Sequence, residues 1–112
     1  MGSELATIQA ASPMVAAVLN ATTSVVTQIR LRGTASTALR QEMKDKVAAL
    51  RASEVSAAIA RLGMENMQHT FALYDLADTR EGMSGYVDAL AEAAHAVRLL
   101  RDNLDTLARR LR

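Results

Sequence analysis

The sequence predicts an all-α protein, an antiparallel bundle of four helices that forms a single domain over residues 1–112. Ala, Leu, Val and Met dominate the apolar half of the chain, which has only two Tyr, one Phe and no Trp. Ala and Leu are strong helix formers. Pro13 is the only proline, and apolar residues recur every three or four positions, as they do on one face of a helix. A chain of this length can bury one core.

Glycines mark the expected ends of the helices, because glycine is the weakest helix former after proline. They occur at Gly33, at Gly63, and at the pair Gly82 and Gly85. The four predicted helical segments are about 4–32, 36–62, 64–80 and 84–111.

The first segment has no charged residue from Leu5 to Ile29. Its apolar positions form a helical stripe, and the rest are mainly Ala, Ser, Thr, Asn and Gln. Three interpretations stay open. A helix of this length can span a membrane, although the many polar residues weaken its hydropathy. It can also be an ordinary bundle helix whose solvent-facing side happens to carry no charge. Finally, it can be a helix that protein surrounds on most sides, which would require self-association.

The second segment carries two apolar stripes. One contains Leu39, Met43 and Leu50, and the other contains Ala48, Ala52, Val55, Ile59 and Leu62. A helix that is apolar on two faces is normally packed between neighbours. The first stripe continues in phase beyond Gly63, so the alternative architecture has three long helices, with the second continuous through Gly63. A glycine inside a helix costs only about 1 kcal/mol relative to Ala.

The fourth segment has the most regular apolar stripe, with alternating spacings of three and four residues typical of helix packing and coiled coils. Its members are Met83, Tyr86, Leu90, Ala93, Val97, Leu100, Leu104, Leu107 and Leu111. The flanking positions are mostly Ala and Val rather than charged residues, which favours a bundle over a two-stranded coiled coil.

The composition excludes several functional classes. Thirteen basic residues against twelve acidic ones give no overall field that favours nucleic acid, and aromatic stacking groups are scarce. The absence of cysteine excludes disulfides and cysteine-based zinc sites. The N-terminus lacks the basic start of a signal peptide. We therefore expect a protein that is cytoplasmic, or exported without a cleaved signal.

A metal site is suggested only weakly. Glu92 and His95 have the Glu-x-x-His spacing of di-metal helical bundles, and Glu65 and His69 lie one turn apart. Such bundles need two Glu-x-x-His pairs and two more carboxylates that all point inward. Only one pair has that spacing, and the apolar stripe places His95 on the opposite, solvent-facing side. We therefore predict no metal and no cofactor.

Histidine phosphotransfer is the runner-up function. A solvent-facing His95 followed by Arg98 resembles the acceptor site of histidine phosphotransfer bundles. Leu99 and Leu100 stand where those bundles have glycine and small residues, and the chain after His95 is short for that fold. The resemblance implies His95 as the phosphoryl acceptor.

The favoured interpretation is a non-enzymatic structural or interaction protein that acts by self-association or by binding a helical partner. A homo-oligomer or filament subunit is one concrete form. No nucleophile–base pair or phosphate-binding loop supports an enzyme or a small-molecule substrate. The apolar residues of the first two segments are the predicted intermolecular surface. They are Met14, Val18, Val25, Ile29, Val55, Ile59 and Leu62.

Overall fold

The computed structural model of the chain describes residues 3–61 and 66–112, and every regular element in this part is helical. The helices are α1 (Ser3–Arg32), α2 (Thr37–Ala52), α3 (Glu54–Arg61), α4 (Asn66–Thr79) and α5 (Tyr86–Leu111). The all-α prediction is thus confirmed. The described part holds five helices rather than four, because the second predicted segment is divided.

The helices lie side by side in a body of 48 × 21 × 19 Å. At 1.5 Å per residue, the 30 residues of α1 span about 45 Å, which is close to the whole length of the molecule. The most extensive packing joins α1 to α5, followed by α4 to α5 and α1 to α2. Helix α3 contacts α1, α2 and α4, and α2 also contacts α4. The core forms between these helices.

Ser53 divides the second predicted segment. Its extended backbone (φ −75°, ψ 152°) ends α2, and its hydroxyl donates a hydrogen bond to the Leu50 carbonyl at 2.7 Å. The same oxygen accepts a hydrogen bond from the Ser56 amide at 3.3 Å, so Ser53 also caps the start of α3.

This break explains the two apolar stripes of the sequence. Met43 and Leu50, from the first stripe, are buried on α2, whereas Ile59, from the second, is buried on α3. Ala48 and Ala52 belong to the second stripe but precede the break, and they are exposed. The two stripes therefore serve two short helices, each with one buried face, and not one helix with two buried faces.

The alternative of one helix continuous through Gly63 disagrees with the packing of the neighbouring helices. Helix α4 runs antiparallel to α2, because Arg51 pairs with Asp75 while Arg40, near the start of α2, pairs with Glu81 beyond the end of α4. Gly63 itself lies outside the described residues.

Helix α5 buries the stripe that its sequence predicts. Tyr86, Leu90, Val97, Leu100 and Leu104 are among its buried residues. The ends of the predicted stripe differ, because Met83 precedes the helix and is 65% exposed, and Leu111 lies in the last turn and is 39% exposed. Burial of this stripe against α1 and α4 is the main contribution of α5 to the core.

Two glycines shape the connections at one end of the molecule. Gly33, after α1, has φ +83°, and Gly82, between α4 and α5, has φ +80°. Residues with a Cβ rarely adopt this left-handed conformation. At the same end Ser36 caps α2 by accepting a hydrogen bond from the Leu39 amide at 3.2 Å. These turns bring the end of α1 and the start of α5 together, so the two helices are antiparallel.

Candidate interaction surfaces

The apolar stripe of α1 faces the interior of the chain. Ile8, Val15, Val18 and Val25 are each at most 1% exposed. Among the described residues, α1 is the one helix long and apolar enough to cross a membrane by composition, yet 44% of its most apolar window is buried inside the protein. The apolar side of α1 therefore contributes to the core of this fold.

Three members of the sequence-predicted intermolecular surface are core residues. Val18, Val25 and Ile59 are buried within the single chain by the packing of α1 against α5, α2 and α3. Their side chains are not available to another molecule while the chain is folded. The sequence pattern detected a real packing surface, but it could not distinguish a neighbouring helix of the same chain from a helix of a partner.

Three further members of that predicted surface are partly covered. Met14, Ile29 and Val55 are half-buried and pack against the core. Leu62 lies outside the described residues. The six described members are therefore dispersed over the core and its margins, and these six do not form one exposed patch.

The outer face of α1 is exposed and uncharged. We define it by the exposed residues between Leu5 and Ile29, which are Ala6, Gln9, Ala10, Pro13, Asn20, Ser24 and Thr27. Most of them are three or four positions apart, and the half-buried Ala16 and Ala17 occupy the longer interval between Pro13 and Asn20, with the half-buried Thr23 farther along the same helix. The Ser24 hydroxyl donates to the Asn20 carbonyl one turn back at 3.0 Å, so part of the polarity of this face is already satisfied within the helix.

A shallow apolar groove runs between α4 and α5, and we call it the α4–α5 groove. Leu73 of α4 and Ala91, Ala96 and Leu99 of α5 form its apolar lining, and Leu99 is 48% exposed. Asn66 also lines the groove, and its buried side-chain Nδ2 has no hydrogen-bond partner among the described residues. The groove is a second surface on which an apolar partner can lie.

Both histidines line this groove. His69 of α4 and His95 of α5 are exposed, and Glu92 lies beside them. The solvent-facing position that the sequence predicted for His95 is confirmed. Within residues 3–61 and 66–112, no three His, Asp or Glu side chains converge as a metal site requires. Glu65, which the sequence paired with His69, lies outside the described residues.

Ion pairs join α2 to the region of α4. Glu81 accepts hydrogen bonds from both Arg40 and Lys44. The hydrogen bond from Lys44 is the largest of the contacts that hold the pKa of Glu81 below its usual value. Arg51 forms two hydrogen bonds to Asp75, at 2.8 and 3.0 Å, and these lower the pKa of Asp75. The Arg51 guanidinium carbon also lies 5.2 Å from the centre of the Phe71 ring.

A cavity of about 330 Å³, the end cavity, lies between the turn that joins α1 to α2 and the turn that joins α4 to α5. Its apolar wall includes Ile29, Met83 and Val87, and Arg40 and Ser84 contribute polar groups. Tyr86 also lines it, and its buried hydroxyl has no hydrogen-bond partner in the part of the chain that the structure describes. Sequence reasoning missed this cavity, since the helical stripe identified Tyr86 only as a core residue and said nothing of its hydroxyl.

Comparisons with protein-family models, with curated proteins and with solved structures found no match for this chain. The function is therefore argued from the surfaces described above.

Proposed function

We propose that this chain is a non-enzymatic helical protein that self-associates, and that a second copy of the chain packs on the outer face of α1. The observation that carries the proposal is that this face is exposed yet has no charge from Leu5 to Ile29. Charged residues normally cover the solvent face of a bundle helix, since they keep the folded chain soluble.

Self-association suits such a face for an electrostatic reason. When two copies pair through the same surface, residue i of one copy lies against residue j of the other, so a charged residue is favourable there only where residue j carries the opposite charge. The outer face of α1 needs no such matching of charges. It also extends from Ala6 to Thr27, about 33 Å along a molecule that is 48 Å long, which favours the hundreds of Å² per partner that a stable interface requires.

The proposed subunit is an antiparallel bundle with four positions, in which α2 and α3 together fill one position. The pattern of neighbours supports this arrangement: α5 packs between α1 and α4, and the α2–α3 pair contacts both α1 and α4 on the other side. A subunit of this shape presents the outer face of α1 along one edge, where copies can form either a closed oligomer or a filament.

Sedimentation velocity at several protein concentrations tests the proposal. The chain is expected to form a dimer or larger species as its concentration rises. Asn20→Glu places a charge on the outer face of α1 and should shift association to concentrations at least tenfold higher. Ala49→Glu, at an exposed position of α2, is the matched control and should associate like the parent chain. A chain that stays monomeric at every concentration overturns the proposal.

Binding of a helical partner in the α4–α5 groove is the other form of this function. The apolar lining of the groove and the exposed Leu99 favour this partner binding, because an amphipathic helix buries its apolar side in such grooves. Leu99→Glu distinguishes the two surfaces. If association is lost with Leu99→Glu but retained with Asn20→Glu, the groove is the interface and the proposal for α1 is wrong.

Histidine phosphotransfer through His95 is the second candidate function, favoured by the exposure of His95 beside small alanines on α5. Treatment with phosphoramidate, a chemical phosphoryl donor to imidazoles, tests it. His95 is expected to be labelled faster than His69, which is also exposed, with His95→Gln and His69→Gln as the paired variants. Equal labelling of both histidines would leave ordinary surface reactivity as the explanation and reject the candidate.

A further inference from the structure

The α4–α5 groove has the shape and the lining that suit one more helix. Leu73 stands on its α4 wall and Leu99 on its α5 wall, and small alanines of α5 lie along it. Among the described lining residues, Glu92 is the one Asp, Glu, Lys or Arg side chain, and it is exposed. A groove between two packed helices accepts the ridge of a third helix. Its occupant should therefore be a helix with an uncharged face.

Of the five described helices, α1 alone has such a face. The other four carry charged residues at exposed positions, among them Glu42 and Lys46 of α2, Glu54 of α3, Asp75 of α4 and Arg98 of α5. A helix that brought such a residue into an apolar groove would take the charge out of water without a partner, which is costly. The outer face of α1 has no charge to desolvate. A second copy of this chain can thus supply the helix that the groove accepts.

The outer face of α1 is itself divided into an apolar half and a polar half. The apolar half covers residues 6–17, where Gln9 is the one polar residue among the exposed Ala6, Ala10 and Pro13 and the half-buried Ala16 and Ala17. The polar half follows with Asn20, Ser24 and Thr27. The apolar half is about 17 Å long, enough to cover the stretch of about 12 Å from Ala91 to Leu99 of α5. Short alanine side chains also let the two backbones approach closely.

Pro13 adds a hydrogen-bond acceptor to the apolar half. Proline has no N–H, so residue 13 cannot donate the regular helical hydrogen bond to the Gln9 carbonyl four residues earlier. His69 and His95 are exposed on the two walls of the groove, and an imidazole has at least one ring N–H in either protonation state. The groove therefore offers donors to a carbonyl that the docking helix leaves without its usual partner.

We propose that the apolar half of the outer face of α1 docks in the α4–α5 groove of the next copy. This inference rests on the proposed self-association and specifies the surface that α1 meets. In the described part of the chain the backbones of α1 and α4 are not in contact, and α5 packs against both. The docking helix and the groove are thus separate surfaces, and one copy can use both at once. Such a head-to-tail contact repeats from copy to copy, either in a closed ring or in a filament.

Single charges on the two surfaces test the inference by sedimentation velocity. Ala10→Glu and Leu99→Glu, both at exposed positions, should each shift association to concentrations about tenfold higher or more, whereas Ala49→Glu on α2 should associate like the parent chain. Circular dichroism verifies folding, and His69→Glu on the other wall replaces Leu99→Glu if that variant is unfolded. If the groove variant associates like the parent while Ala10→Glu does not, the inference is wrong and the proposed function stands. A parent chain that stays monomeric overturns both.

A mixture of the two variants separates head-to-tail docking from every symmetric pairing. Ala10→Glu keeps an intact groove, and Leu99→Glu keeps an intact α1. Mixed at a concentration at which each alone is monomeric, they should form a complex of one chain of each kind. This complex cannot grow, because its two unused surfaces are the substituted ones.

The matched control is a mixture of Ala10→Glu with Ala6→Glu, which alters the same surface in both chains. It should stay monomeric, since no intact α1 is present to fill a groove. If the mixture of Ala10→Glu with Leu99→Glu also stays monomeric, or if the control mixture forms a complex equally well, head-to-tail docking is excluded.

Discussion

Tyr74 of α4 donates a buried hydrogen bond to Thr22 of α1, although the backbones of these two helices are not close neighbours. The direction of the bond follows from the other partner of Thr22. The Thr22 hydroxyl donates its only proton to the Val18 carbonyl at 2.8 Å, so the proton between the two hydroxyls belongs to Tyr74. This bond crosses the core and fixes α4 against α1 in one register.

The two tyrosines form a matched pair for a stability test. Tyr74→Phe removes the donor to Thr22 and should lower the free energy of unfolding by about 1 kcal/mol. Tyr86→Phe removes a hydroxyl that has no partner within residues 3–61 and 66–112, so it should leave the stability unchanged or raise it. Urea denaturation measures both. An equal loss in the two variants would show that the Tyr86 hydroxyl makes a stabilising bond in the folded chain.

Stability should fall at alkaline pH because of the same two side chains. Burial raises the pKa of Tyr74, and that of Tyr86, from 10.0 to about 12. The folded chain therefore retains protons that the unfolded chain releases between pH 10 and 12, and folding loses stability across that interval. Tyr74 alone should contribute a loss of about 2 kcal/mol. Urea midpoints at pH 9 and 11.5 measure it, and the double variant Tyr74→Phe/Tyr86→Phe should lose less than the parent chain.

Glu81 should stabilise the fold at neutral pH through Arg40 and Lys44. Glu81→Gln is expected to lower the free energy of unfolding by about 1 kcal/mol at pH 7. Because the folded chain lowers the pKa of Glu81 from 4.5, the difference between parent and variant should persist at pH 5 and vanish as the pH falls through that lowered value. Glu42→Gln, at an exposed position of α2, is the control. A difference that stays constant down to pH 2 would contradict the assignment.

The burial of Val25 predicts a large effect for a charge at that position. Val25→Glu places a carboxylate where the side chain is 0% exposed, and it should cost more than 3 kcal/mol, enough to unfold a marginal domain. Asn20→Glu, on the exposed side of the same helix, should stay within about 0.5 kcal/mol. Thermal unfolding by circular dichroism separates them. Tolerance of Val25→Glu would mean that this face of α1 is open in solution.

Removal of the cap at Ser53 should weaken α3. In Ser53→Ala the Ser56 amide keeps the Ser53 carbonyl at 3.1 Å but loses the hydroxyl, and the Leu50 carbonyl loses the hydrogen bond from that hydroxyl, at a total cost of about 1 kcal/mol. Ser24→Ala, whose hydroxyl bonds only within an exposed turn of α1, is the control and should cost less than half as much. Urea denaturation of the two variants gives the comparison, and equal values would argue against a capping role for Ser53.

Helical periodicity was sufficient to predict most of the core. Leu90, Val97 and Leu100 of α5 repeat at the spacing of one helix face, and burial of that face is a local consequence of the sequence. The break at Ser53 was harder to predict, because serine is only a moderately poor helix former and the decisive event is a cap that its own side chain makes.

The candidate sites depend on relations between distant segments. The end cavity combines Ile29, Arg40 and Tyr86, which are far apart in sequence. An unpaired hydroxyl cannot be identified from periodicity, since the same stripe position holds Leu, Val or Tyr equally well. The predicted surface on Val18 and Val25 illustrates the same limit: an apolar stripe identifies a face that packs, and only the fold determines which neighbour covers it.

The uncharged outer face of α1 also determines how an assembly built on it would respond to ionic strength. Salt screens the attraction of surface ion pairs such as Arg51 and Asp75. Salt has no such effect on the stretch from Leu5 to Ile29, because this stretch has no charged residue and therefore no ion pair. Contacts through α1 should therefore persist in concentrated sodium chloride and strengthen in sulfate, which favours the burial of apolar surface. Such an assembly would keep its size across environments of very different salinity.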